Sequence, residues 1–566
     1  MNISGFCVNQ IRTIANGAAP YRLAVLALLA SLAFFFSDTI NAAPCEEKSI
    51  DATAKVNGWS KTEKNQRFVD VKDTSITAAN VQNLRVKWVF GIPDTEAPRT
   101  LPLVTSDTVV IGDGAGTVYA LSRDSGCEKW RHDAGSVPRT GFRVTQTPDG
   151  PQLYFGTISA EVVVLDLQTG VELKRIKADD HPRAMISGTA AEYDGIIYQP
   201  ISSWELFWAV NPFYACCTFR SSVLAIAVDD WEPRWRAFTI EQEPEVFKSR
   251  LFLPDHVGPS GAPVWSAPTV DAKRKRLYVG TGENYSSPAT DTSDAIIAYD
   301  LETGAMVWKQ QFLANDAWNV SCVIPGHANC PSERGDDLDF GAPPVLVSVD
   351  DKDYVLAGQK SGWIFALDPD TGGEKVWAYR AGAGGKAGGV HFGLAADETR
   401  GALYVPISDR DVAVLGSSHA GKPMPSLQAL DIVTGKPRWV TPAPGDCMAD
   451  GEEVSNCHVG FSAAITATSD LVFAPTLDGY LRAFSAETGS EVWQYDSVRD
   501  YDSVNEVDAR GGAIDMGGTF LDGRQLFVNS GYGQVSQISG NAFIVFELVN
   551  DAELDDVTVD GDNNEK

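Results

Sequence analysis

The sequence predicts an all-β fold, an eight-bladed β-propeller, and three observations carry that expectation. One phrase returns seven times: an alternating apolar stretch runs into Asp-x-x-Thr-Gly, or a worn form of it, and a second stretch closes on Trp or a basic residue. Short β signals such as "RLYVGTG" (276–282), "ALYVPIS" (402–408) and "DLVFAPT" (470–476) lie between copies, making each unit about four strands long. Apolar segments near the two ends, "LRVKWVF" (84–90) and "NAFIVFELV" (541–549), can complete an eighth unit. An open array of such sheets leaves edges bare, whereas radial packing protects them.

The copies are "GTVYALSRDSGCEKW" (116–130), "AEVVVLDLQTGVELK" (160–174), "SSVLAIAVDDWEPRW" (221–235), "DAIIAYDLETGAMVW" (294–308), "GWIFALDPDTGGEKVW" (362–377), "PSLQALDIVTGKPRW" (425–439) and "GYLRAFSAETGSEVW" (479–493). In each, the alternation suits a half-buried strand, while Asp supplies a turn's side-chain hydrogen bond and Gly its left-handed position. The recurring Trp130, Trp308, Trp377, Trp439 and Trp493 are read as blade-to-blade packing.

Ahead of the repeats, Arg12 and Arg22 precede the apolar run Leu23–Phe36, and small residues follow near Ala42 and Ala43. This is the pattern of a secretory signal, expected over 1–43, and it implies a periplasmic or secreted protein with no membrane span after cleavage. The propeller is expected over 44–550, and "DAELDDVTVDGDNNEK" (551–566) reads as a disordered acidic tail. A formal net charge of −29 repels nucleic acid. Of nine cysteines, Cys7 leaves with the leader, and the other eight form an even set suited to an oxidising compartment. Short loop closure favours pairing Cys322 with Cys330 and Cys447 with Cys457, which leaves Cys45 with Cys127 and the adjacent Cys216 with Cys217. No Cys-x-x-Cys-His attaches a haem, and no Gly-rich fingerprint opens a nicotinamide site.

The repeat Ala-x-Asp-x-x-Thr-Gly-x-x-x-Trp resembles the tryptophan-docking motif of the quinoprotein alcohol dehydrogenases, propellers that bind pyrroloquinoline quinone. The segments "NGWSKTEKNQRF" (57–68), "ACCTFRSSVLAI" (215–226), "VWSAPTVDAKRKRLYVGTGENYS" (264–286), "NDAWNVSC" (315–322) and "GQKSGWIFALDPDTG" (358–372) resemble the polyvinyl alcohol dehydrogenase branch. That resemblance implies an enzyme oxidising secondary or polymeric alcohols, with its electrons passing to a separate cytochrome c or other acceptor.

It also implies a site. A Cys216–Cys217 disulfide would form a plate on one face of the quinone and Trp265 would stack on the other. Lys360 would donate to the quinone oxygens, while Arg139, Arg183 and Arg220 are available to its carboxylates. A calcium or lanthanide ion would take oxygens from Glu205, Glu283 and Asn319. Here the sequence departs from the family: Glu283 stands where the family has Asn, with Asn284 one place on, and Asn319 stands where it has Asp. In the methanol dehydrogenases the Cys-Cys pair lies one blade earlier, at a place that here holds "VPRTGF" (137–142). Asp316 and Glu283 are therefore the candidate proton acceptors, with His391 and Asp409 on the rim. The competing expectation is a propeller without chemistry that serves as a protein-binding or envelope-assembly scaffold.

Overall fold

Each Asp-x-x-Thr-Gly phrase folds as a tight turn between the third and fourth strands of a sheet. In the second copy Asp166 Oδ1 accepts from the Thr169 amide (2.8 Å) and hydroxyl (2.6 Å), and Gly170 takes the left-handed position at φ +70°. Asp300 and Asp431 bind Thr303 and Thr434 in the same way. The computed structural model describes residues 43–410, 412, 420–445, 447–449 and 452–550. The expected leader, apart from Ala43, and the acidic tail lie outside them.

Eight antiparallel sheets of four or five strands result. Seven follow in chain order and are called here blades 1 to 7: 103–133, 143–177, 184–238, 269–311, 345–380, 395–442 and 466–496. Blade 8 is composite: Leu84–Gly91 pairs along Ala542–Leu548, the last of three C-terminal strands. The ring is thus an eight-bladed propeller closed by both ends of the chain, as expected.

The tryptophans join the blades. Trp130, Trp377 and Trp439 donate their indole N–H to Leu167, Ile432 and Ala486, carbonyls of the following blade. The turn glycine of that blade lies on the indole, so a methyl group at Gly170, Gly435 or Gly489 would collide with it. Gly373 lies on Trp308 likewise, and Trp493 meets Phe546 of blade 8 edge-on. The copy of the repeat in blade 2 ends on Lys174 instead of Trp. Trp231, from the worn turn of blade 3, fills the gap by packing on Tyr154 and donating to Gln152.

Residues 57–68 touch blades 2 to 8 through one short stretch. Asn57 exchanges hydrogen bonds with Val144 of blade 2, and Glu63 accepts from the Glu192 amide of blade 3. The carbonyls of Glu63, Lys64, Gln66 and Arg67 accept from Val270, Leu346, Ala396 and Ala467, each in the first strand of blades 4 to 7. Arg67 also donates to Thr519 of blade 8, while the preceding strand Ala54–Val56 pairs with blade 1. The segment plugs the ring at the inner strands. All four disulfides form in the expected pairs. Among the described residues no helix is long and apolar enough to cross a membrane.

Candidate functional site

Loops around the ring enclose a cavity of about 420 Å³, with Trp59 of the plug in its lining. In one wall stand Glu283, Asp337 and Asp339, whose ligand oxygens lie within 4.8 Å of one another, all buried. Glu283 follows the second strand of blade 4, and Asp337 and Asp339 belong to the loop entering blade 5. Lys360, just beyond the second strand of blade 5, sends Nζ to Asp337 Oδ1 (2.8 Å) and Asp339 Oδ2 (3.0 Å). Trp265 donates Nε1 to Asp339 Oδ2 at 2.9 Å, and Lys360 Nζ lies 5.4 Å from its ring centroid. Gly341 leaves room for that ring: a Cβ there would stand 2.3 Å from it. His391 and Phe392 meet Trp265 edge-on and complete the wall.

The electrostatics follow from crowding acids around one ammonium. Burial, then Asp339 and Asp337, raise Glu283 well above the usual carboxylate range. Burial pushes Asp337 up to about 8 against the pull of Lys360. Asp339 is buried too, but Lys360 and hydrogen bonds from Glu283 and Trp265 hold it below the usual range. Burial works against the Lys360 charge, yet Asp337, Asp339 and Glu283 raise its pKa. Fully ionised, the cluster would hold three negative charges against one positive in a buried place. Protons or a hard cation must supply the balance. Converging carboxylate oxygens are the donor type that calcium and lanthanides take, so these residues fit such an ion.

The ligand set expected from the sequence is not brought together. Glu205 is fully buried outside the cavity lining. Its carboxylate accepts from Tyr214 Oη (2.9 Å) and from the amides of Thr218 (2.9 Å) and Phe219 (2.8 Å), so it braces the loop carrying the two cysteines. Asn319 donates to the Tyr285 and Asn329 carbonyls and accepts from Ser321 at the start of a single 3-10 turn. Asn284 is held by Ser260 and Thr290. Of the three expected ligands only Glu283 reaches the acid cluster.

The other expected residues divide likewise. Trp265, Lys360, Arg139 and His391 line the cavity. Arg139 lies over Trp204, 5.1 Å from its centroid, and its buried Nε and Nη1 have no protein partner. Arg183 covers Trp208 at 3.4 Å outside the lining, and Arg220 donates to the Ile240 and Glu241 carbonyls near Glu243. Cys216–Cys217 is buried in one apolar cluster with Phe219, Tyr285 and Ile201, and of these only Tyr285 lines the cavity. Asp316 accepts from the amides of Asp337 (3.4 Å) and Leu338 (3.3 Å) outside the lining; burial and Asp339 raise it to about 6. Asp409 accepts from Ala383, Gly384 and Gly389 and holds their loop.

Asp337 and Asp339 are absent from the sequence reading. Their signal is the run "DDLDF" (336–340), where acids crowd the approach to the strand of blade 5 that precedes the Lys360 strand.

A curated polyvinyl alcohol dehydrogenase from a Pseudomonas species is 34% identical over 507 residues, covering 87% of this chain and 76% of that protein. The chain belongs to the polyvinyl alcohol dehydrogenase family. A second such protein, from Sphingopyxis, is 35% identical over 87% of this chain and 74% of its own length. Both relatives are oxidoreductases by name, and so is the family to which this chain belongs. Two profiles match parts of the chain: the glucose/ethanol/alcohol dehydrogenase β-propeller domain over 57–177, and the outer membrane protein assembly factor BamB over 292–542. The crystal structure of quinohemoprotein alcohol dehydrogenase from Comamonas testosteroni shares the fold, with a TM-score of 0.61 at 17% identity over 88% of this chain and 83% of that one.

Proposed function

We propose that this protein is an exported dehydrogenase of secondary alcohols, polymeric carbinols among them, that holds pyrroloquinoline quinone in the axial cavity beside a calcium or lanthanide ion. The observation that carries the reading is the buried Glu283, Asp337 and Asp339 cluster with Lys360 beside the face of Trp265. Three buried acids around one ammonium are costly to a purely structural propeller and useful at a reacting centre.

Bound there, the quinone supplies the acceptor for the hydride that leaves the carbinol carbon. Everything else falls to the chain. Trp265 offers a flat apolar face, and Lys360 places a cation where negative charge gathers on reduction. Glu283, Asp337 and Asp339 would hold the ion, and Glu283 or Asp337, whichever carboxylate the ion leaves free, would accept the hydroxyl proton. Arg139, with two unpaired donors, suits an anionic group of the cofactor. Asp316 acts on this reading by gripping the Asp337–Leu338 backbone, and a separate cytochrome c or other carrier takes the electrons.

The match to the assembly-factor profile over 292–542 favours the competing reading, a binding scaffold. Calorimetric titration of the mature protein with pyrroloquinoline quinone, in calcium and in lanthanum, followed by dye-linked turnover on an alcohol panel, separates the two. Metal-dependent binding with turnover supports the dehydrogenase, and absence of binding in both metals leaves the scaffold.

A further inference from the structure

Three excursions from the propeller interlock beside the cavity mouth. The first, 203–221, carries Glu205 and the cysteine pair; the second holds the hairpin Glu245–Lys248 with His256–Gly258; the third, 312–344, contains the Cys322–Cys330 loop. Cys217 donates to the Val257 carbonyl, which ties the first to the second. His327 Nε2 lies 2.9 Å from the Val210 carbonyl, and Asn329 donates to Ala209, Asn211 and Tyr214, which ties the third to the first. Arg250 donates to Ala328 and closes the circuit.

This well-tied canopy shows water an unusual amount of apolar surface. Phe213 is 70% exposed, Phe252 90% and Leu251 80%, and Trp208, Phe247 and Ile324 are exposed as well. Five of the seven exposed aromatic side chains among the described residues stand on it. Phe207 is half exposed and at the same time lines the cavity with Trp204 and Leu206. Phe207 therefore belongs both to the exposed apolar surface of the canopy and to the lining of the candidate site.

Continuity selects the occupant. A ligand that touches Phe207 from the cavity and reaches Phe213 outside is a chain molecule. With a net charge of −29 on the protein, it is one without a strong negative charge. We infer that the canopy is a docking track for the stretches of a neutral, carbon-backboned polyhydroxylated polymer that flank the carbinol being oxidised. The inference rests on the function proposed above and names how its substrate is held. Methylene runs pack on the aromatic faces, and hydroxyls stay wet or reach the polar edge set by Asn211, His327 and Arg250. Many weak contacts along one chain raise the local concentration of carbinols at the mouth.

The test is the double variant Phe213→Ser, Phe252→Ser, at two positions outside the cavity lining, loaded with quinone and metal. Polyvinyl alcohol and 2,4-pentanediol serve as paired substrates. Expected is a loss of about tenfold or more in kcat/KM on the polymer, with the diol within about twofold of wild type. Equal losses on both substrates, or none on either, overturn the track while leaving the dehydrogenase standing. Electrophoresis through gels cast with polyvinyl alcohol reads binding without turnover: the wild type should be retarded and the variant not, even if no alcohol is oxidised. Equal migration of the two overturns the inference. So does a wild-type dimer in sedimentation that the variant abolishes while polymer retardation stays unchanged, which would assign the canopy to a second copy.

Discussion

Arg67 holds the plug in place with no acidic partner among the described residues, and Arg67→Met measures what the plug contributes. Its guanidinium is buried and donates to the carbonyls of Ile465 (2.8 Å), Trp59 (2.9 Å), Gly517 (2.7 Å) and Thr519 (2.7 Å) and to Thr466 Oγ1 (3.1 Å). It also lies over Trp59 and Phe520. Nη2 has two hydrogens for three of these acceptors, so the guanidinium makes four bonds at a time, and at about 2 kcal/mol each they bring about 8 kcal/mol. Against this, burial lowers the arginine from 12.5 to about 9, a desolvation cost of about 5 kcal/mol. Removing the side chain should therefore destabilise by about 3 kcal/mol. Across a domain of this size that is a fall of about 3 °C in Tm. Arg67→Lys should fall between, because an ammonium reaches fewer of the five acceptors. Scanning calorimetry at one fixed rate checks both. A shift under about 1 °C for Arg67→Met would refute the reasoning, since it would mean that the plug's carbonyls find water or other donors without loss.

Burial, with Lys360 adding to it, lowers His391 from 6.5 to about 3. The unfolded chain then takes up a proton below pH 6.5 that the folded ring refuses, so stability is lost as the pH falls from 6.5 toward 3. His391→Gln should flatten the stability profile between pH 6.5 and 4.5 by about 2 kcal/mol, read by denaturant melts at each pH. Lys360→Met should cut dye-linked kcat by about 100-fold through loss of a cation facing developing charge; unchanged kcat would remove Lys360 from the reaction. The Cys216→Ser, Cys217→Ser pair should lower Tm while leaving quinone affinity within about threefold in calorimetry, because neither cysteine lines the cavity. A loss of quinone affinity well beyond that would place the pair against the cofactor.

What could be read from the chain follows from the range over which each feature is determined. The blades were legible because Asp166, Thr169 and Gly170 make their turn within five residues, and the Trp that follows needs only the next copy of the same turn. Even the worn copy at 221–235 kept a Trp, although Trp231 packs backward onto Tyr154, which no local pattern announces. That Trp265, Lys360 and Glu283 reach one cavity wall was legible because each lies within a few residues of a short blade strand whose direction is set. Glu205 and Asn319 lie away from that wall for the opposite reason. Where they point depends on Thr218, Phe219, Tyr285 and Asn329, in loops that meet only after folding. Asp337 and Asp339 sit in a loop with no periodicity. The role of 57–68 was hidden because its successive residues answer to different blades.

The composite eighth blade has a consequence for the order in which the chain can become itself. Leu84–Gly91 is made early by the ribosome, but its partner Ala542–Leu548 is among the last strands made. Until then the early strand is an unpaired edge carrying Trp88, Val89 and Phe90, and it is open to wrong pairing. Closing so long a loop is entropically slow but thermodynamically modest, so the ring is decided late and all at once. A chain cut short before Ala542 would therefore lose more than its own strands, leaving the first blade's neighbour without a sheet and the circle open.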